Sequence, residues 1–387
     1  MIVGVIGAGT MGAGIAQLCL QAGHEVLLHD VDHVAIDRGR SRIAEGLEKL
    51  VTKGRLTAAD KDTMLAGLRD AHSIEGLAQE SDVVIEAALE DIDLKNTIFR
   101  ALGAGAGPDV ILATNTSALS VSEIGQASGK PRQVIGLHFF NPAPLMPLVE
   151  VVVGQGTDAA TVGRAMEFAT ALGKQPVECA DSPGFIVNRV NRPFTLEALR
   201  MLEAGEAGVE QIDKAVQSAG YPMGPFAFMD LVGIDVNLAA ATAVWKGFDE
   251  AIRFEPSPIQ RDLVAAGRLG RKTAEGFYRY EEGRPTGLSD RLPVEAQPAT
   301  DTLTDEDIVR RIELAIINEA YHAASEGVAQ PPDIDRAMKL GSNHPYGPFE
   351  RAAALGLRPV VTGLRELEQR YGERFRVAPA LWQIASI

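Results

Sequence analysis

The sequence predicts an α/β N-terminal domain built on a doubly wound sheet, followed by two all-α helical domains related by internal duplication. Three observations carry this. Short β-branched runs alternate with helical stretches over residues 1–181. From Ser182 onward the strand signal fades and helical periodicity takes over. A pattern spanning residues 196–226 then recurs at 318–349.

The bulk properties bound the function. A chain of 387 residues has room for two or three domains. Its net charge of −15 counts against nucleic acid and anionic membrane surfaces as partners. It does not count against a polyanionic small molecule, which needs only a local basic patch. Two cysteines, Cys19 and Cys179, make no disulfide framework and point to a reducing compartment. Met1 runs straight into an apolar stretch without a basic segment, and no apolar run reaches membrane-spanning length. A cytoplasmic, non-membrane protein is expected. No metal is expected.

The first strand, Ile2–Ile6, runs directly into Gly7-Ala8-Gly9-Thr10-Met11-Gly12 and a helical stretch to Gln21. In this strand–turn–helix context each glycine has a physical task. Gly7 permits a tight turn, Gly9 lets a pyrophosphate approach the backbone, and Gly12 lets the helix lie against the strand. The helix N-terminus adds amides and partial positive charge. A second strand, Glu25–His29, ends at Asp30, where a carboxylate would bind a ribose 2′-hydroxyl and repel a 2′-phosphate. The pattern predicts a Rossmann-like domain that binds NAD rather than NADP. The alternative for Asp30 is a helix N-cap.

Residues 33–68 read as an inserted helical arm of two helices, about 33–52 and 57–67, the second opened by Thr57 and Asp60 as a capping box. Strands resume at Asp82–Ala87, Val110–Thr114, Val134–Phe139 and Leu148–Val153. Glu90, Asn115, Thr116 and Ser117 fall just past strand ends, where ligands bind in such sheets. Asn115 and Ser117 could instead cap the following helix. In the last two strands His138 and Glu150 interrupt apolar runs. A buried carboxylate beside an imidazole makes a better general base. The alternative is a hydrogen-bonded core histidine and an edge-strand charge.

A helical domain is expected over 182–282, a linker over 283–304, and a second helical domain over 305–387. Ile212-Asp213 matches Ile334-Asp335, and Pro222, Gly224, Pro225 and Phe226 match Pro345, Gly347, Pro348 and Phe349. Asn188 falls opposite Arg310 and Asp230 opposite Ala353. The second copy thus keeps its turn chemistry and loses polar residues that could face a ligand, so one active site per chain is expected.

GAGTMGAGIA, NTSALS, GLHFFNPAPLMPLVEVV, DSPGFIVNRV, GYPMGPF and GRKTAEGFYRY stand in the order found in 3-hydroxyacyl-CoA dehydrogenases. The chain resembles that family, in the 3-hydroxybutyryl-CoA dehydrogenase type with tandem helical domains. The resemblance implies NAD-dependent, reversible oxidation of an L-3-hydroxyacyl-CoA to the 3-oxoacyl-CoA in fatty-acid or related acyl-CoA metabolism, such as β-oxidation. It implies His138 as the catalytic base and Glu150 as its partner. Ser117, Asn141 and Asn188 match positions that contact substrate, the first two also the nicotinamide. Glu90, Lys95 and Lys272 match cofactor contacts. Lys53 matches a basic residue on coenzyme A, with Lys49 and Arg55 nearby; the alternative for these three is a solvated helix face. Gly46 departs from the pattern, since some members carry a serine there. Two rival classes fit the residues less well. Dehydrogenases of the 6-phosphogluconate or 3-hydroxyisobutyrate kind use a lysine that GFIVNRVNRPF lacks. A non-catalytic NAD-binding protein would not need His138, Glu150, Ser117 and Asn188 together. A monomer or homodimer is expected, the second helical copy taking the place of a dimer contact.

Overall fold

The computed structural model describes residues 1–292 and 303–385. The chain divides into two compact units, Met1–Phe185 and Ile186–Ile387. The break falls four residues beyond the composition shift at Asp181, for a physical reason. Asp181 caps a helix of the first unit, accepting from Val121 N and Ser122 N, and the Phe185 ring lies against His138.

The first unit holds strands β1 (Ile2–Ile6), β2 (Glu25–His29), β3 (Leu68–Asp70), β4 (Val83–Glu86), β5 (Ile111–Thr114), β6 (Val134–Phe139), β7 (Leu148–Val153) and β8 (Gln175–Ala180). Its helices are α1 (Thr10–Gln21), α2 (His33–Thr52), α3 (Ala58–Ala66), α4 (Ile74–Glu80), α5 (Ile92–Gly105), α6 (Val121–Ala127) and α7 (Ala159–Ala171). The eight strands form one sheet in the order β3-β2-β1-β4-β5-β6-β7-β8. Every neighbouring pair is parallel except β6 with β7. Buried on both faces, the central strands read as continuous apolar runs. The two outer strands β3 and β8 were not anticipated. β8 alternates buried and exposed residues like an edge strand, and β3 has only three residues. The helical arm is α2 and α3, and Thr57 with Asp60 closes the expected capping box.

The second unit contains α8 (Val187–Val190), α9 (Arg192–Glu203), α10 (Val209–Ser218), α11 (Pro225–Val232), α12 (Ile234–Gly247) and α13 (Pro258–Ala265). A hairpin of β9 (Tyr278–Glu281) and β10 (Arg284–Leu288) follows. Then come α14 (Asp305–Ser325), α15 (Pro331–Ser342), α16 (Pro348–Leu355), α17 (Leu357–Tyr371) and α18 (Pro379–Ala385). Two expectations change. The unit is not all-α, because β10 occupies the start of the stretch 283–304 read as a linker; residues 293–302 of that stretch lie outside the described residues. The two helical copies also form one compact unit rather than separate domains.

The repeat is built from one device used twice. Asp213 accepts from Phe226 N and Ala227 N, and Asp335 accepts from Phe349 N and Glu350 N. Each aspartate thus caps the first turn of the helix opened by its G-P-F element. A Cβ on Gly224 or Gly347 would stand 2.3 or 2.2 Å from the aspartate carboxyl carbon, so glycine is required. Burial raises the Asp213 carboxyl to about 6, against those amides and the Tyr278 hydroxyl. Asp230 does not face a ligand. It is buried and accepts from Phe277 N, Tyr278 N and the Tyr280 hydroxyl, holding the hairpin. The second copy has no such hairpin among the described residues, which is why Ala353 suffices there.

The copies pack reciprocally. Arg189 Nε lies 2.7 Å from Glu319, and Arg311 Nε lies 2.8 Å from Glu197. Arg189 and Arg311 are repeat counterparts, as are Glu197 and Glu319, so each copy gives the other the same ion pair. This is the pattern of an isologous two-fold contact. Burial alone would raise the Glu197 carboxyl, but Arg200, Arg311 and Arg374 bring it down to about 2. Because its folded value lies below the unfolded carboxyl value of about 4.3, its stabilisation is present at neutral pH and fades as pH falls from about 4 through 2. Glu197→Gln should therefore destabilise the protein by about 3–5 kcal/mol near neutrality. Urea unfolding at several pH values checks this, and the gap to wild type should shrink below pH ~4.

Candidate active site

The glycine turn has the shape its sequence implies. Gly7 adopts φ +96°, where a side chain is strained. A Cβ on Gly12 would stand 1.7 Å from the Gly7 carbonyl oxygen, whereas one on Gly9 would meet nothing within 4 Å. Gly9 and Thr10 are exposed, Met11 is half-buried and Gly12 buried. α1 begins at Gly9 with no side chain capping its first amides. An uncapped N-terminus beside open space fits an anionic pyrophosphate. Asp30 accepts from Ala8 N at 2.7 Å, so its carboxylate is fixed against the turn. Asp32, not Asp30, caps α2, accepting from Val34 N.

Past the ends of β4 and β5, carboxylates organise the loops. Glu90 accepts from the Thr116 hydroxyl at 2.6 Å and from Ser117 N at 2.8 Å. Asn115 and Ser117 do not cap α6; Ser120 does. Asn115 Oδ1 instead accepts from Phe139 N at 2.8 Å, tying β5 to β6 beside His138. Lys95 is buried, 1% exposed, with its ammonium 2.6 Å from Glu86 and 3.5 Å from Glu90. Its charge meets two protein carboxylates rather than standing open.

His138 and Glu150 are direct partners in the antiparallel pairing of β6 and β7. Nδ1 lies 2.6 Å from Oε2, with His138 5% exposed and Glu150 fully buried. A carboxylate accepts, so Nδ1 carries a proton, and in the neutral ring Nε2 is then the nitrogen with the lone pair. Phe140 and Phe185 flank the imidazole at ring distances of 4.5 and 5.7 Å. Asn141 is exposed in the next turn.

Three expected residues sit on other elements. Lys53 follows the end of α2 and is exposed, as are Lys49 and Arg55. Asn188 sits in α8 of the second unit. Lys272, also in the second unit, pairs with Asp235 at 2.5 Å. Gly46 has a packing reason. A Cβ there would stand 2.0 Å from Gln17 Oε1, so the Gln17 amide fills the space a serine would need.

Two residues escaped the sequence reading. Glu86, fully buried at the end of β4, accepts from Lys95 Nζ, the Thr114 hydroxyl and Ala88 N. A lone acid in an apolar strand was the available signal, the same one that exposed Glu150. Phe185 has φ +50°, a costly conformation for a bulky residue that follows the left-handed Gly184 and turns its ring onto His138. Sequence gives no sign of that.

A doubly wound sheet with a glycine turn, an acid held against that turn at the end of β2 and a buried imidazole–carboxylate pair defines a dinucleotide-dependent dehydrogenase. Two family models match. The 3-hydroxyacyl-CoA dehydrogenase NAD-binding domain covers residues 2–182, and the C-terminal domain of the same family covers 184–280 and 308–386. The chain is 38% identical to the 3-hydroxyadipyl-CoA dehydrogenase of Escherichia coli, over 99% of this chain and 97% of that one. It is 43% identical to the 3-hydroxybutyryl-CoA dehydrogenase of Mycobacterium tuberculosis, over 72% of this chain and 98% of that one. The crystal structure of 3-hydroxybutyryl-CoA dehydrogenase from Escherichia coli superposes with a TM-score of 0.90 at 37% identity, covering 100% of this chain and 98% of that one. The chain belongs to the 3-hydroxyacyl-CoA dehydrogenase family. It is an NAD-dependent oxidoreductase acting on 3-hydroxyacyl thioesters of coenzyme A. Among the described residues no single helix is long and apolar enough to cross a membrane.

The glycines make a sharp contrast testable. Gly9→Ala should fold with a Tm near wild type and raise the KM for NAD about tenfold or more, since the methyl occupies the anion's approach. Gly12→Ala should lose stability itself. Thermal unfolding set beside NADH fluorescence titration separates the two.

Proposed function

We propose that His138 is the general base of this dehydrogenase and Glu150 its orienting partner, in the reversible oxidation of an L-3-hydroxyacyl-CoA to the 3-oxoacyl-CoA. The 2.6 Å contact between Nδ1 and Oε2 carries the reading. Nε2 takes the proton of the substrate's 3-hydroxyl. Glu150 holds the ring and offsets the charge of the imidazolium. Phe140 and Phe185 limit water around the ring. NAD, when bound, accepts the hydride; Gly7, Gly9, Thr10, Met11 and Gly12 would hold its pyrophosphate and Asp30 its ribose. Glu90 and Asn115 keep the loop carrying Ser117 in place, and Lys95 acts through Glu90 and Glu86. Ser117 and Asn188 polarise substrate oxygens, Asn141 shapes the site near His138, and Lys272 contacts the cofactor from the second unit. Lys53 contacts coenzyme A from the arm. Of the relatives named above, one full-length protein is named for a six-carbon dicarboxylic thioester, and another full-length one and the shorter one for a four-carbon neutral thioester; both substrate types are open to this chain.

The domains are read as an NAD domain and a duplicated helical unit with one active site per chain, in the cytoplasm. The reciprocal Arg189–Glu319 and Arg311–Glu197 pairs support a monomer in which each copy covers the docking face of the other.

His138→Gln should lower kcat for acetoacetyl-CoA-dependent NADH oxidation by about 10²–10⁴-fold while NADH binding survives. Near-normal turnover in that variant would sink the assignment of the base. Lys53→Glu should raise KM for CoA thioesters more than for truncated thioesters, and an equal effect on both removes Lys53 from the CoA site. Sedimentation should give a monomer or a dimer made through a different surface; a dimer joined through the first helical copy refutes the intrachain arrangement.

A further inference from the structure

Arg192 is a buried charge that the reaction above does not use. It is 5% exposed, and its Nε donates to the Asn188 carbonyl at 3.3 Å. Its terminal nitrogens have no hydrogen-bond partner among the described residues, yet they are not among the sealed, unpartnered atoms. The other deeply buried guanidinium groups of this unit, Arg189 and Arg311, each meet two carboxylates. Burial without a countercharge lowers Arg192 to about 10. A charge largely withdrawn from water with no countercharge is costly.

Packing does not require it. The repeat counterpart of Arg192 is Leu314, also buried, so an apolar side chain builds the same place in the second copy. Asn188 and Arg192 stand four residues apart along α8 and α9. Their counterparts Arg310 and Leu314 line one cavity of about 490 Å³. In the second copy these two repeat positions thus share one cavity.

We propose that Arg192 is a specificity residue, its guanidinium taking the free carboxylate at the far end of a dicarboxylic 3-hydroxyacyl thioester. The assignment rests on the reading that Asn188 contacts the reacting end of the substrate. In a six-carbon chain the terminal carboxyl carbon is three carbon–carbon bonds of about 1.5 Å from C3. Asn191, between α8 and α9, keeps helical angles (φ −80°, ψ −7°), so Asn188 and Arg192 are placed as residues four apart on one helix are, about 5–6 Å between Cβ atoms. One helical turn therefore spans the distance from the reacting carbon to the carboxylate. The phosphates of coenzyme A lie a whole pantetheine arm from the thioester, on the other side of the reacting end. A planar fork of donors suits a carboxylate, and its binding would supply the countercharge the site lacks.

The test compares kcat/KM for 3-hydroxyadipyl-CoA and 3-hydroxybutyryl-CoA in wild type, Arg192→Leu and Arg192→Lys. Arg192→Leu should lose about 10²-fold on the dicarboxylic thioester, mainly in KM, and less than about threefold on the neutral one. Arg192→Lys should restore part of the difference. Equal losses on both thioesters would show a structural role and overturn the assignment. Should the leucine variant not fold, the lysine variant still decides: a shifted ratio of the two kcat/KM values supports the proposal and an unchanged ratio overturns it. Wild type active on 3-hydroxybutyryl-CoA alone overturns Arg192 and leaves the catalytic reading intact, whereas wild type inactive on both overturns the two together.

Discussion

The antiparallel register of β6 on β7 is the constraint on which the site depends. It sets His138 opposite Glu150 and Phe139 opposite Val149. Side chains alternate between faces along a strand, so a slip of one residue would put Val149 or Val151 opposite the imidazole and turn Glu150 to the other face. Because the pair sits in the sheet rather than on a loop, backbone hydrogen bonds fix its geometry. The Asn115 side chain adds a stitch from β5 to the end of β6. The single reversal of strand direction in the sheet therefore falls where two ionisable groups must face each other.

Carboxylates with structural tasks recur through both units. Glu86 gathers Lys95, Thr114 and a backbone amide beneath the loops. Glu90 clasps the turn at Ser117. Asp181 opens α6, and Asp213 and Asp335 open α11 and α16. These acids also dictate glycines: Gly224 and Gly347 leave space for Asp213 and Asp335, and Gly276 for Asp230. An acidic composition here reflects internal acceptors as well as a charged surface. A net charge of −15 is thus compatible with a polyanionic substrate.

The central strands, the glycine turn, the arm and the duplication were readable because each leaves a local mark. Buried parallel strands are apolar without interruption, and Gly7, Gly9 and Gly12 are spaced by the turn itself. The pairing of His138 with Glu150 could be suspected from two acid–base groups in apolar runs, but the contact needed the register. β3 and β8 were missed because short or half-exposed strands carry little periodicity. The hairpin at 278–288 was missed because Pro285 and Gly287 read as loop residues. Asp230 looked available to a ligand because sequence cannot show that a hairpin 47 residues on donates to it. Lys95 looked open for the same reason: its burial depends on Glu86, an acid on a different element.

The reciprocal ion pairs impose an order on the making of the molecule. Glu319 and Glu326, the partners of Arg189, lie 130 or more residues farther along the chain. Until α14 has left the ribosome, that guanidinium has no countercharge from the second copy. The first unit is closed within 185 residues and can mature while synthesis continues. The second cannot bury its ion pairs until the later copy exists, so its folding waits on nearly the whole chain. A gene fragment ending between the copies would lack Glu319 and Glu326, which pair with Arg189, and Arg311 and Arg374, which pair with Glu197.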